Sequence, residues 1–198
     1  MPEQFSSDLS SSGSTRGTSL FESLVALAIV ATLGVIMAPS VENLALHRQG
    51  SLALQRVAAS IYRARTTAAK SGVVAMLCPS ADGNQCGGNW HDGILVFPDR
   101  NENLLHDPDE SPVDYVGFEN LRGTLHWRAF QSKPYLQITP LGFTRYQNGN
   151  FTWCNPDKSS SGAHQLILNR TGRVRFAVDS DGDGIRENSQ GLPISCPN

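Results

Sequence analysis

An uncharged apolar stretch near the N-terminus limits what this chain can fold into more than any other feature. Residues 23–41, SLVALAIVATLGVIMAPSV, contain no charged side chain. As a helix this stretch would be about 28 Å long, close to the thickness of the hydrocarbon layer of a bilayer. No small-residue cleavage site of the A-x-A type follows it, so a retained membrane anchor is favoured over a secretory signal.

The residues in front of this stretch differ from those of an ordinary anchor. Residues 1–17 are polar and rich in Ser, with no apolar run that could form a core helix or strand. Glu22 then places a carboxylate at the start of the apolar segment, where it is costly unless it lies at the interface or finds a cation. We therefore expect residues 1–17 to be dispensable for the fold and Glu22 to have a partner.

Residues 17–22, Gly-Thr-Ser-Leu-Phe-Glu, followed by an apolar helix, resemble the cleavage motif of type IV prepilins and type II secretion pseudopilins. The resemblance implies that a prepilin peptidase cuts after Gly17 and that the new N-terminal residue, Thr18, is methylated. It implies that Glu22 pairs with the N-terminal amine of a neighbouring subunit and that Pro39 kinks the helix. The alternative is a plain single-pass anchor in which the Gly-x4-Glu spacing is accidental.

Beyond Pro39 the apolar residues recur at helical spacing, and the basic residues lie elsewhere around the helix. The apolar positions are Leu54, Val57, Ala58, Ile61, Ala64 and Ala68. Gly72 is a suitable C-terminal stop. The pattern predicts one helix from about Ser19 to Ser71, whose first half, residues 18–41, lies in the membrane or the filament core. Its second half, residues 42–72, is amphipathic and is predicted to pack on a sheet.

From residue 73 to residue 198, short β-like runs alternate with turn signals. The runs are VVAMLC, GILVFPD, VDYVGFE, TLHWRAF, YLQITP, FTWC, QLILN and GRVRFAVD. This alternation predicts a β-rich globular domain with an antiparallel sheet. Together with the N-terminal helix, it indicates an α+β protein.

The four cysteines lie in segments rich in Gly, Asn, Pro and Ser. An even number of cysteines in such turn-rich segments indicates disulfides formed in an oxidising compartment. Three pairings are open, and proximity favours Cys78 with Cys86 and Cys154 with Cys196. A zinc site is disfavoured, because a C-x7-C spacing with no CxxC and no nearby His lacks the usual ligand pattern.

The globular part is similar to the minor pilins and pseudopilins of the FimT/GspH type. The similarity lies in residues 64–70, 77–80, 86–97 and 169–175. It implies a type IV pilin-like fold, a long N-terminal helix packed on an antiparallel sheet. It also implies other major and minor pilins as partners of that helix. The protein would be a single-pass protein of the bacterial inner membrane with a periplasmic domain, and later part of a pilus at the cell surface.

The strongest local feature is Gly172-Arg173-Val174-Arg175-Phe176. On a strand, Arg173 and Arg175 share one face, and Val174 and Phe176 form an apolar backing on the other. Five basic residues and one acidic residue lie between residues 145 and 175, a local sum of 5 − 1 = +4 in a chain of net charge −2. The chain as a whole gives no reason to expect a polyanionic partner, but this local patch does.

In FimT-type pilins of transformable bacteria, a G-R-x-R motif is associated with binding DNA for uptake, and Gly172–Arg175 carries it. The resemblance implies Arg173 and Arg175 as phosphate contacts to double-stranded DNA, with Arg170 and Lys158 as helpers. Binding would be independent of sequence, sensitive to salt and in the range of about 10⁻⁴–10⁻⁶ M. The alternative is that the arginines keep a strand face solvated or pair with the acidic loop downstream.

That acidic loop reproduces the start of a calcium loop, with carboxylates at positions 1, 3 and 5 and a glycine at position 6. These carboxylates belong to Asp179, Asp181 and Asp183. Position 12 is Gln190 instead of the bidentate Glu, and Glu187 at position 9 could contribute. The alternative is an acidic, glycine-rich turn without metal, and we expect no other cofactor.

No catalytic constellation accompanies these features, since the histidines are scattered and no nucleophile lies in a known motif. We therefore expect no enzyme, and a membrane-anchored enzyme remains only as a third class. The first hypothesis is a minor pilin of a type IV pilus, FimT-like, that takes part in pilus assembly and binds DNA in natural transformation. The second is a minor pseudopilin, GspH-like, of a type II secretion system without DNA binding.

Overall fold

The computed structural model describes residues 19–118 and 120–197, with the side chains of residues 35–43 left out. The predicted leader, residues 1–17, and its cleavage residues Gly17 and Thr18 lie outside this range, as does the side chain of Pro39. The chain divides into two compact units, Met1–Glu42 and Asn43–Asn198.

One long helix, α1, runs from Leu20 to Ser71, within one residue of the predicted start. Its first turn is capped, because the Ser19 hydroxyl accepts a hydrogen bond from the backbone N–H of Glu22 at 3.2 Å. Glu22 also places a negative charge at the positive end of the helix dipole. The local sequence therefore starts the helix at the point where the predicted mature chain begins.

Within the described residues, no helix combines the length and the apolar character that crossing a membrane requires. The predicted membrane segment, residues 23–41, extends into residues 35–43, whose side chains lie outside the description. The apolar residues of the described part of this segment are exposed, among them Leu27 and Val30.

The second unit contains two four-stranded antiparallel sheets. Its strands are β1 Val74–Pro79, β2 Gly93–Asp99, β3 Asp114–Gly117, β4 Thr124–Ala129, β5 Leu136–Ile138, β6 Gly149–Cys154, β7 His164–Leu168 and β8 Val174–Phe176, with a short 3₁₀ turn at Phe130–Ser132. Sheet A has the order β3-β2-β1-β5, and sheet B has the order β4-β6-β7-β8. Each predicted β-like run overlaps one strand, and the predicted antiparallel pairing is confirmed. The strands divide into two sheets because β5 returns to pair with β1 and leaves β4 to the second sheet.

The core lies between α1 and the inner faces of both sheets. The helix contributes Ala53, Leu54, Val57, Ala58, Ile61, Ala64 and Ala68, which include every predicted apolar position. Sheet A adds Ala75, Leu77, Ile94, Val96, Leu136 and Ile138, and sheet B adds Leu125, Phe151, Trp153, Leu166 and Leu168. Burying each large apolar side chain contributes about 1.5–3 kcal/mol.

On its other face each sheet is partly covered by irregular chain that a disulfide holds. Cys78 and Cys86 form one bridge beside the second apolar cluster, on the outer face of sheet A. Cys154 and Cys196 form the other, which ties the C-terminal segment to the end of β6. These are the two pairings that proximity favours.

Removing the Cys154–Cys196 bridge should destabilise the protein more than removing Cys78–Cys86. Their sequence separations are 42 and 8, and the loop entropy that a bridge removes from the unfolded chain grows with the logarithm of loop length. Replacing both cysteines by Ser should lower the free energy of unfolding by about 4 kcal/mol for the long loop and about 2.5 kcal/mol for the short one. Chemical denaturation measures both losses, and equal losses would contradict the expectation.

Candidate nucleic-acid interface

The turn between β7 and β8 is closed by the side chain of Asn169. The Asn169 amide oxygen accepts hydrogen bonds from the Arg173 N–H at 2.9 Å and from the Thr171 hydroxyl at 2.7 Å. The Asn169 N–H donates to the Arg173 carbonyl at 3.1 Å, and the Gly172 N–H donates to the Asn169 carbonyl at 3.0 Å. Asn favours such turns because its side chain replaces a backbone partner. The antiparallel pairing therefore continues beyond β8 to Arg173.

Gly172 packs too closely on the rest of the domain to carry a side chain. Its φ is +73°, and a Cβ there would lie 2.2 Å from the carbonyl oxygen of Gly142. Its own carbonyl accepts a hydrogen bond from Nη1 of Arg65 on α1 at 2.7 Å, and the Thr144 N–H donates to the Arg170 carbonyl at 3.0 Å. The glycine of the G-R-x-R motif thus lets the turn dock on the helix and on the β5–β6 connection.

Arg173 and Arg175 point away from the core, on what we call the outer face of sheet B. Val174 is paired with the buried Leu168 and packs on the core, while Arg175 is paired with Ile167 on the opposite face. Both arginines are exposed. In the part of the chain that the structure describes, neither guanidinium pairs with a carboxylate.

The expected apolar backing of this pair is only half correct. Val174 packs against the core, but Phe176 is 43% exposed because β8 is the edge strand of sheet B and ends there. The acidic loop leaves β8 at this end, whereas Arg173 precedes β8 at the other end. Ion pairs between the arginines and the acidic loop do not form among the described residues.

The other basic residues of the local count have different surroundings. The Arg170 guanidinium lies 4.7 Å from the centroid of the Tyr146 ring, a cation–π contact beside the β7–β8 turn. Arg145 makes two hydrogen bonds to the carboxylate of Glu102, at 2.7 and 2.9 Å. This ion pair lowers the pKa of Glu102. The charge of Arg145 is therefore offset, and the local sum overstates the positive charge available to a ligand.

Lys158 is not beside Arg173, contrary to its expected role as a helper. It lies on the β6–β7 loop, and the antiparallel order of β6, β7 and β8 puts that loop at the other end of sheet B from the β7–β8 turn. It is close enough to His126 on β4 to lower the pKa of that imidazole, after the larger effect of burial. The structure therefore brings Arg170, Arg173 and Arg175 together and leaves Lys158 apart.

Arg128 on β4 is a basic residue of the same outer face that the sequence analysis did not single out. It is exposed, whereas Leu125 and Ala129 of the same strand are buried. The alternation in TLHWRAF carries the signal that His126 and Arg128 share a face. Nothing local, however, indicates that β4 belongs to the same sheet as β8.

The acidic loop brings four carboxylates together. Ligand oxygens of Asp179, Asp181, Asp183 and Glu187 all lie within 4.8 Å of one another. Glu187, at position 9 of the loop, thus supplies the fourth carboxylate in place of Gln190. The Asp179 carboxylate also accepts hydrogen bonds from the N–H groups of Gly182 and Gly184, at 2.7 and 2.9 Å. Hard cations such as Ca²⁺ prefer such oxygen ligands, and calcium binding stays a prediction.

Comparison with known proteins identifies relatives of this fold. The family model described as Type II transport protein GspH matches residues 53–172. The type IV minor pilin FimU of Pseudomonas aeruginosa is 17% identical, with a TM-score of 0.53 over 76% of this chain and 96% of FimU. This likeness shows the fold. The minor pseudopilin EpsH from the Type 2 Secretion System of Vibrio cholerae is 8% identical, with a TM-score of 0.47 over 65% of this chain and 95% of EpsH. No curated protein sequence matches the chain.

Gly172→Ala should be more destabilising than Gly191→Ala. Both glycines have positive φ, +73° and +76°, but a Cβ at Gly191 would meet nothing within 4 Å. The left-handed conformation should cost about 1–2 kcal/mol in both variants, and displacing packed backbone should add about 1–3 kcal/mol at Gly172 alone. Thermal or denaturant unfolding measures the difference. Equal losses would show that the contact with Gly142 is not what requires the glycine.

Calcium should bind the acidic loop with a Kd of about 10⁻⁴–10⁻³ M, as in extracellular calcium modules. Calorimetric titration of the protein with calcium measures this affinity. Asp181→Asn should abolish the binding heat because it removes one of the four clustered carboxylates. Asp109→Asn, an equal charge change at an exposed position outside the cluster, should leave it intact. An absence of binding heat at millimolar calcium would mean that the loop is an acidic turn only.

Proposed function

Because the chain belongs to the GspH family of type II transport proteins, we propose that it is a FimT-like minor pilin that assembles into a type IV pilus and binds DNA for uptake in natural transformation. The DNA would lie on the outer face of sheet B. The observation that carries the proposal is the pair Arg173 and Arg175, two exposed guanidiniums on one face without a carboxylate partner among the described residues.

Assembly into a filament is the structural part of the proposed function. A prepilin peptidase would cut after Gly17, Thr18 would be methylated, and Glu22 would pair with the N-terminal amine of a neighbouring pilin. Leu20 and Phe21 are 80% and 74% exposed, and an apolar helix surface of this kind is normally covered by lipid or by a partner. Before assembly the helix would hold the protein in the inner membrane. The two disulfides suit a periplasmic domain.

The chemistry of the arginine pair favours phosphate. Guanidinium groups donate in a planar fork that matches phosphate oxygens, and they are always charged. Residues two apart on a strand are about 6.6 Å apart, a spacing that lets the two guanidiniums reach neighbouring phosphates of one DNA strand. Such contacts carry no base readout, so binding would be independent of sequence and would weaken with salt.

The second candidate function is that of a minor pseudopilin in a type II secretion system, without DNA binding. The description of the matched family favours it, since that family is named for type II transport. The match ends at residue 172, so membership in the family says nothing about Arg173 and Arg175. Both candidates are structural roles in a filament, and neither includes a catalytic step.

Replacing Arg173 and Arg175 together by Gln should weaken DNA binding at least about tenfold at low salt, because two phosphate contacts are lost. The slope of log K against log salt should fall by about two. The measurement is a gel shift or fluorescence titration of the purified full chain with duplex DNA. The control is Lys70→Gln with Arg100→Gln, which removes the same charge from exposed positions outside sheet B.

Unchanged binding by the double arginine variant would end the DNA proposal and favour the pseudopilin role. Binding lost equally by the control variant would show that only net charge matters. Transformation frequency in a deletion strain complemented with each variant extends the test to the cell. There, a DNA-binding role requires the arginine variant to fail while the control restores transformation.

A further inference from the structure

A row of residues crosses the outer face of sheet B from one edge to the other. Arg175 on β8 is paired with Ile167 on β7, Ile167 with Asn150 on β6, and Asn150 with Arg128 on β4. Residues directly opposite each other in a sheet point to the same face, so all of these side chains lie on the outer one. Three strand spacings of about 4.8 Å separate Arg128 from Arg175, about 14 Å in total.

The arginines of the second unit fall into two groups by their contacts. Several are engaged by the protein itself, in ion pairs, in hydrogen bonds to backbone carbonyls or over an aromatic ring: Arg56, Arg63, Arg65, Arg145, Arg170 and Arg186. No such contact is made within the described ranges 19–118 and 120–197 by the guanidiniums of Arg48, Arg100, Arg128, Arg173 and Arg175. Three of these five, Arg128, Arg173 and Arg175, lie together on the outer face of sheet B.

A polar groove lies beside this row, over β4, β6 and β7. It has a volume of about 660 Å³ and lies between the outer face of sheet B and the C-terminal segment. His126, Arg128, Asn150 and Thr152 line its sheet side. The C-terminal side contributes neutral polar residues, among them Asn188, Ser189, Gln190 and Ser195. Imidazole, amide and hydroxyl groups of this kind hydrogen-bond phosphate and sugar oxygens.

Lys158 lies on the β6–β7 loop, near the side of the groove that His126 lines. Its charge acts on His126, which lies two residues before Arg128 on β4. Burial and this charge both lower the pKa of His126, so the imidazole is neutral at neutral pH. Positive charge is therefore present at both edges of the sheet face, at Arg175 and Arg128, and on the β6–β7 loop near His126.

We propose that DNA crosses the outer face of sheet B from β8 to β4, with Arg128 as the phosphate contact at the β4 edge and Lys158 as a contact on the neighbouring β6–β7 loop. The inference rests on the proposed DNA binding and adds a direction and a residue to it. The distance of about 14 Å between Arg175 and Arg128 equals about four base pairs of rise along the axis of the duplex, so each meets a different phosphate. Lys158, which is too far from Arg173 to help it, becomes a contact beside this path.

Arg128→Gln in the full chain tests the path by fluorescence anisotropy with a labelled duplex at several salt concentrations. The affinity should fall about three- to tenfold at low salt, and the salt slope should fall by about one. Arg100→Gln is the matched control, because it removes one exposed charge at the end of β2 in sheet A. It should leave the slope unchanged. Arg128→Lys keeps the charge and should keep the slope.

The results separate this inference from the proposed function. If Arg128→Gln behaves like Arg100→Gln while the Arg173/Arg175 variant loses binding, the path across the sheet is wrong and the proposed function stands. If the Arg173/Arg175 variant binds normally, the proposed function fails and this inference falls with it. A loss in Arg128→Lys equal to that in Arg128→Gln would also overturn the inference, because the effect would then come from packing and not from charge.

Discussion

The apolar stripe on the second half of α1 is the constraint on which the globular unit depends, because both sheets pack on it. Small residues in this stripe let the strands come close. A Cβ on Gly50 would lie 2.6 Å from Cδ1 of Trp153 and 2.7 Å from Cδ2 of His164, so this helical glycine is required by close approach. Burial, Arg186 and His47 lower the pKa of His164 to about 4, so a neutral imidazole packs against the helix.

Polar groups beside the stripe orient each sheet against the helix. Arg63 pairs with Asp114 on β3, and the Ser60 hydroxyl donates to the same carboxylate at 3.1 Å, which attaches the edge of sheet A. Arg65 binds the Gly172 carbonyl, which attaches the turn before β8 in sheet B. The helix arginines thus serve the fold. Because that turn is held from its inner side, Arg173 is left to face solvent on the outer side.

Local periodicity was sufficient to predict the helix, the strands and the shared face of Arg173 and Arg175, since each of these follows from residues close in sequence. What failed depends on pairing between distant residues. Arg145 was counted as free charge, but it binds Glu102, 43 residues away. The family resemblance implies Lys158 as a helper of Arg173, whereas the length of β7 separates their loops. The sequence does not indicate that Arg128 belongs to the same surface as Arg175. The two residues share a face only because β4, β6, β7 and β8 pair in one sheet.

The outer face of sheet B is a place where fold and function can be separated. The fold needs Gly172 and Val174, because both pack against the rest of the domain. At the exposed positions 173 and 175, the fold would accept any polar side chain. Two like charges about 6.6 Å apart in water repel by roughly 0.6 kcal/mol before salt screening, so the pair slightly opposes folding. Stability therefore gives no reason for two guanidiniums here, or for a third on the same face at Arg128. Binding of a polyanion gives such a reason, because the same clustered positive charges attract phosphate groups.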